Sequence, residues 1–393
     1  MRILCVFGRY NYGNPDRGEG IEYTSFLPAL RALGHQVEFF ESFSRTAHAD
    51  FAALNRALLE RVEVFRPEIV FTVLMMAEVW LETVAIIRAT GAKVINWSTD
   101  DSWKYRQFSR LVAREFDVFA TTWPDAMRWY ADDGLVNAHL AQWAAATHAL
   151  SPPKPAAECA FQVTFVGSCY GRRAARVARL REAGIAVECF GHGWPNGPVD
   201  AARLPRIARD SIVSLNFSEG GGGAGPQIKA RVFEVPAAGG LLLTETAPHL
   251  ERYFDTAREI AVFNDDAALE ATTRDLLTRP QHRDAIALAG HARVAREHTY
   301  EQRLAVLLAQ AGPVHPPLTP DWPRFENCAR RHRPGAALVL LRTLLIAACR
   351  LGWDANRAPR AARRALFEAS WRIAGRHTYT AAGWPGRLFY RES

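Results

Sequence analysis

Short apolar blocks recur along the first three quarters of the chain, each followed by a longer stretch with helical spacing. Residues 2–7, 36–40, 68–74, 93–97 and 117–122 are rich in Val, Ile, Leu, Phe and Thr, the pattern of buried strands. Between them, 21–33, 50–65 and 78–90 carry apolar residues at helical intervals. Gly34 and Gly91 stop the first and third of these, and another helix is expected from Pro124. This alternation predicts a doubly wound parallel sheet.

The segment Ser151-Pro-Pro-Lys-Pro interrupts the pattern as a linker, and the alternation then restarts. Strands are expected over 162–167, 186–190, 212–217 and 241–244, and a further helix-strand pair between there and residue 267. Helices are expected over 172–182, 204–211, 267–278 and 281–297, and Thr299-Tyr-Glu-Gln302 is a capping box for one more. The expected fold class is α/β. A Rossmann-like domain covers 1–150, a second covers 151–312 and a helical tail covers 313–393, with ligands held in a crevice between the two sheets.

Charge sets the tail apart. The chain carries a net +7, yet the residues from Pro313 onward hold 14 arginines against five acidic residues, or +9, so the body is slightly acidic. Six scattered cysteines without a Cys-x-x-Cys pair argue against a zinc site or a disulfide framework. Four lysines against 44 arginines suggest a GC-rich bacterial genome. MRILCVF reads as a strand from its first residues, so no secretory signal is expected, and no uncharged apolar run reaches the roughly 18–20 residues of a membrane span. A cytoplasmic protein is expected.

Candidate chemistry concentrates in KARVFEVPAAGGLLLTE. Lys229 and Arg231 open a short helical pattern, Glu234 follows within a turn of Arg231, and Gly239 and Gly240 lead into a strand. Two cations and a carboxylate at the head of a helix in a parallel αβ unit suit a diphosphate and a sugar hydroxyl. Upstream, Gly167 and Ser168 end a strand with Arg172 and Arg173 just beyond, an oxyanion-binding turn in which one arginine donates and the other can be a solvated helix face. His192, in Gly191-His-Gly-Trp194, either lines a ligand pocket or is a turn histidine. Gly18-Glu-Gly20 either admits a ligand to the backbone or is a solvated turn; its neighbourhood lacks the spacing of a dinucleotide fingerprint. Gly220–Gly225 is a lid or a plain connection. His298 is expected to pack or cap. Asp100 and Asp101 end a central strand, where a carboxylate serves as a general base, stabilises developing positive charge or caps a helix.

Taken together, VTFVGSCYGRR with FGHGW, RVFEVPAAGGLLLTE and HARVAREHTYEQR, supported by NWSTDD and QWAAA, resemble the CgeB-like (spore maturation protein) glycosyltransferases of the GT-B fold over about residues 1–310. The resemblance implies that Glu234 binds the nucleotide ribose and that Lys229 and Arg231 hold the diphosphate. The larger retaining families carry an earlier glutamate two turns upstream; here that region reads Gly225-Pro226-Gln227. Their N-domain catalytic histidine has no clear match, and Asp100 and Asp101 lie about where it would come.

The function implied is transfer of a sugar from a nucleotide sugar, a UDP-sugar by expectation, to a glycan, a lipid-linked sugar or a protein. No metal or other cofactor is expected, and no nucleic-acid partner. The alternatives are a GT-B nucleotide-sugar epimerase and a non-catalytic GT-B binding module. For the tail, two readings stand: its helices dock on the N-domain, or they contact anionic lipid at the membrane's inner face.

Overall fold

The structure is a computed structural model that describes residues 1–200, 202–220 and 225–393. The expected lid at Gly220–Gly225 lies for the most part outside the described residues. The chain forms two compact units. One comprises Met1–Asp16, Leu30–Ala141 and Leu307–Ser393; the other comprises Arg17–Ala29 and Gln142–Val306.

The first unit is built on six parallel strands: β1 (Arg2–Phe7), β2 (Gln36–Glu41), β3 (Ile69–Thr72), β4 (Lys93–Ser98), β5 (Val118–Thr121) and β6 (Ala138–Leu140), in the order β2-β1-β3-β4-β5-β6. Leu4 pairs with Val70 and Val70 with Val94, so an apolar row crosses the sheet. Onto it the helix Phe51–Phe65 buries Leu54, Leu58 and Val62, and the helix Leu81–Ala89 buries Val84 and Ile87. Asp50 caps the first of these, accepting from the Ala53 amide.

The tail belongs to this unit. Phe325, on the helix Trp322–His332, stacks on Trp80 with centroids 6.1 Å apart. The Trp322 indole N–H donates to Glu63, and Tyr390 packs edge-on to Phe51. Helices Ala336–Cys349, Ala358–Ala374 and Trp384–Leu388 complete it, sharing a small core of Ala362, Leu366, Leu388 and Phe389.

The second unit holds five parallel strands: β7 (Phe161–Val166), β8 (Val187–Phe190), β9 (Ser211–Asn216), β10 (Leu242–Glu245) and β11 (Ala261–Phe263), ordered β11-β10-β9-β7-β8. Fully buried Arg283, on the helix Pro280–Glu297, donates to the carbonyls of Ile212, Ser211 and Lys154 and so ties helix, sheet and linker together. The capping box closes as expected: the Thr299 amide donates to Gln302 Oε1 at 3.0 Å and the Gln302 amide to Thr299 Oγ1 at 3.3 Å.

The strand expected ahead of the helix from 267 is the short edge strand β11, but two elements were not legible in the pattern. β6 is a three-residue edge strand, too short for a periodic signal. A helical stretch over 101–112, carrying a π-helical turn at Tyr105–Ser109, follows the Asp100-Asp101 pair.

Candidate functional site

Relabelled from its own first strand, the second sheet runs 2-1-3-4-5. Crossovers from β7 and β9 leave on opposite sides, so a crevice opens outside their carboxyl ends, where open α/β sheets hold ligands. At that edge lie Gly167 and Ser168 after β7, Gly191 and His192 after β8, and Ser218 after β9.

Two guanidiniums meet there. Arg231 donates from Nη1 to Asn216 Oδ1 at 3.0 Å. Arg173, only 4% exposed, donates to the Ser168 carbonyl at 2.8 Å and to the Tyr170 hydroxyl at 2.7 Å. Both lie 5.4 Å from the Phe165 ring centroid. Neither forms an ion pair among the described residues, and the Arg173 Nε, fully buried, has no hydrogen-bond partner among them. Burial pushes the pKa of both down; for Arg231 the neighbouring Arg173 charge adds to the effect, while Glu234 opposes it. Desolvated cations that lack a close ion pair are costly, and a bound anion would relieve that cost. Buried Ser218 Oγ likewise lacks a partner among the described residues.

Arg176 shows the contrast. It is as buried as Arg173, but it pairs with Glu245 at 2.8 Å and with Asp266 at 2.9 Å. Its charge is spent on structure.

Glycine lets backbone and side chains crowd together here. A Cβ on Gly191 (φ 125°) would stand 2.4 Å from the Gly167 carbonyl oxygen, and one on Gly167 would stand 2.9 Å from Arg231 Nη2. The Trp194 indole N–H donates to the same Gly167 carbonyl at 2.8 Å and locks the turn.

Glu234 presents its side chain to solvent. The protein around it still desolvates the carboxyl and raises its pKa, opposed by the Arg231 charge. Lys229, half-buried, donates to Gln227 Oε1 at 3.0 Å. Gly20 begins the π-helical turn Glu22–Phe26, its carbonyl accepting from the Tyr23 and Thr24 amides. Phe26 packs on Tyr300, whose hydroxyl pKa is raised by burial first and then by the Glu234 and Glu22 charges. The Gly20 turn and Glu234 thus share a neighbour.

Several expected site residues have other surroundings. Arg172 extends into solvent and pairs with Asp266 at 3.0 Å, so Arg173 is the arginine at the crevice edge. Gly239 and Gly240 lie before the amino end of β10. A Cβ there would strike the carbonyls of Ser151 and Ala208, each at 2.6 Å, so these glycines serve close packing. Ser168 and His192 are exposed, and the His192 carbonyl accepts from the Cys169 amide. The helix Arg231–Ala237 has seven residues and no side-chain cap, so anion binding at this edge rests on side chains more than on a helix dipole. His298 packs, its Nε2 set against the Tyr253 carbonyl at 2.9 Å.

In the first unit, Asp100 and Asp101 differ. Asp101 is fully buried: Ser98 Oγ donates to its Oδ1 at 2.7 Å, Ser109 Oγ donates to the same oxygen, and the Tyr130 hydroxyl donates to Oδ2 at 2.7 Å. Its oxygens are spent on the core. Asp100 remains 36% exposed and lies 3.6 Å from the buried Lys104 ammonium.

Comparison with known proteins follows this geometry. The fold is GT-B. Sucrose-phosphate synthase from Thermosynechococcus elongatus superposes with a TM-score of 0.56 at 10% identity, over 79% of this chain and 99% of that one. OtsA in its apo form gives 0.55 at 12% identity, over 80% and 100%. HepE from Anabaena, in complex with UDP-glucose, gives 0.53 at 11% identity, over 79% and 99%. A family model described as glycosyl transferase-like matches residues 172–309, the stretch that contains Arg173, Asn216, Arg231 and Glu234. No curated protein matches the chain.

Of the residues at the crevice edge, sequence reading missed Asn216, Ser218 and Tyr170. A lone Asn or Ser at a strand end has no local signal, but the strand-end rule would have drawn attention to both.

Proposed function

We propose that the protein is a glycosyltransferase of the CgeB-like kind that binds a nucleoside diphosphate sugar, a UDP-sugar by preference, at the carboxyl edge of the second sheet. The observation that carries this reading is the pair of guanidiniums, buried Arg173 and half-buried Arg231, without an ion-pair partner among the described residues. Together with Lys229 they take the two phosphates, while Glu234 accepts from the ribose hydroxyls. These cations supply, without a metal, the positive charge that stabilises the departing diphosphate.

In the reaction, the bond from the sugar C1 to the diphosphate oxygen breaks through an oxocarbenium-like state. The departing diphosphate gains negative charge, and the preorganised guanidiniums stabilise it. The acceptor hydroxyl oxygen bonds to C1 and its proton passes to a carboxylate. We assign that role to Asp100, because Asp101 has no oxygen to spare. The acceptor is a glycan, a lipid-linked sugar or a protein.

Calorimetric titration with UDP, GDP and ADP, followed by donor-hydrolysis assays with the corresponding sugars, tests the reading. Selective UDP binding with slow hydrolysis of one UDP-sugar supports it. Failure of every nucleotide to bind would sink it, and binding without turnover toward any acceptor would leave a binding module.

A further inference from the structure

The helix Ala336–Cys349, AALVLLRTLLIAAC, is apolar but for Arg342 and Thr343. Its inner face is occupied: Leu338, Leu341, Leu345 and Ile346 pack against the small core of Ala362, Leu366, Leu388 and Phe389. Arg342, its single charged residue, also turns inward, to the Leu388 carbonyl and Glu392. The outer face therefore carries no charge. Val339 is 48% exposed, Leu340 59% and Leu344 59%; beyond the helix end Leu351 is 92% and Trp353 54% exposed. An apolar surface of this kind marks an interaction site.

The charge around it selects the partner. Arg330, Arg331 and Arg333 stand before the helix and Arg350, Arg357 and Arg360 after it, all exposed. Asp354, the acidic residue nearest the helix end, pairs with Arg357 at 3.3 Å. The residues from 313 onward carry +9 on a chain of net +7. An uncharged apolar strip between two arginine clusters matches a membrane interface, with side chains among the acyl chains and guanidiniums at the phosphate level.

Spanning does not fit. At about 1.5 Å per residue the helix is roughly 21 Å long, short of a hydrocarbon core of about 30 Å. Among the described residues no single helix is long and apolar enough to cross. The one bent pair that passes by composition includes Trp322–His332, and that helix is committed to the first unit's core through Phe325, Cys328 and His332.

We infer that the outer face of residues 336–353 is a docking surface for an anionic lipid bilayer, which the helix enters lying flat. The inference stands independently of the nucleotide-binding proposal.

Vesicle sedimentation of the full chain tests it, using phosphatidylcholine alone and phosphatidylcholine with 30% phosphatidylglycerol. The expected result is at least tenfold stronger partitioning to the anionic vesicles, weakened by salt. L340E/L344E should lose at least tenfold of it, with an unchanged melting temperature. R350E/R357E provides a second variant that leaves the apolar strip intact, and it should weaken binding to anionic vesicles only. Equal partitioning of wild type and L340E/L344E would overturn the inference. So would concentration-dependent self-association in solution that L340E/L344E abolishes while vesicles bind neither form, since the face would then belong to a second copy of the chain.

Discussion

Asn216 Oδ1 accepts from Arg231 Nη1 at 3.0 Å, and the Asn216 amide nitrogen donates to Thr244 Oγ1 at 2.9 Å. A neutral amide thus aims a half-buried cation without neutralising it. Exchanging the amide for a carboxylate would keep the acceptor for Arg231 and cancel the charge, with the Thr244 hydroxyl turning to donate to the second oxygen. N216D is expected to weaken UDP binding about tenfold, some 1.4 kcal/mol, while raising the melting temperature. Calorimetry and thermal unfolding on the same sample check both halves.

R173A and R231A each remove a charge-assisted anion contact. Each is expected to weaken UDP binding by roughly ten- to a hundredfold. R172A serves as the control, because Arg172 faces solvent and pairs with Asp266. A loss in R172A equal to that in R173A would refute the assignment.

Glu234 should impose a pH dependence of known sign. Its carboxyl pKa is raised because the surrounding protein desolvates it, with Arg231 opposing. A group raised in this way ionises at a cost to the fold, so E234Q should gain stability relative to wild type as pH rises through and above the ordinary carboxylate value. If the ionised carboxylate binds ribose, UDP affinity falls as pH drops through the raised pKa, and that limb disappears in E234Q. Titrations between pH 4.5 and 8 decide the matter.

The two neighbouring aspartates should separate cleanly. D101A strands three hydroxyl donors in the core and is expected to cost about 3 kcal/mol in chemical denaturation. D100N should fold normally, bind UDP normally and lose transfer by at least a hundredfold. Full transfer activity in D100N would remove Asp100 from the mechanism.

At Gly191, a methyl group would stand 2.4 Å from the Gly167 carbonyl at a φ of 125°. G191A is expected to destabilise the second unit by about 2 kcal/mol and to weaken UDP binding, because Gly167 borders Arg231. Thermal shift with and without UDP measures both effects.

The sequence by itself determined the two αβ sheets, because a strand buried on both faces and the helix that follows it each leave a periodic local signature. Ten of the eleven strands among the described residues, all but β6, were expected from that signature, and the capping box at Thr299 and Gln302 is a local signal of its own. The KARVFE segment was legible for the same reason, since its cations and carboxylate lie within two turns of one another. What a side chain faces is not local. Asp100 and Asp101 are adjacent in sequence, yet the hydroxyls of Ser109, two turns further along the same helical stretch, and of Tyr130, on the helix Ala126–Asp132, make Asp101 a core residue. Arg172 and Arg173 read alike until the helix turns one toward Asp266 and the other onto Tyr170. The Gly239-Gly240 pair looked like a ligand turn, and backbone approaching from Ser151 and Ala208 gave it a packing role. Tertiary structure decided these points because burial, and with it the energetic value of a charge, depends on which distant segments close over a residue.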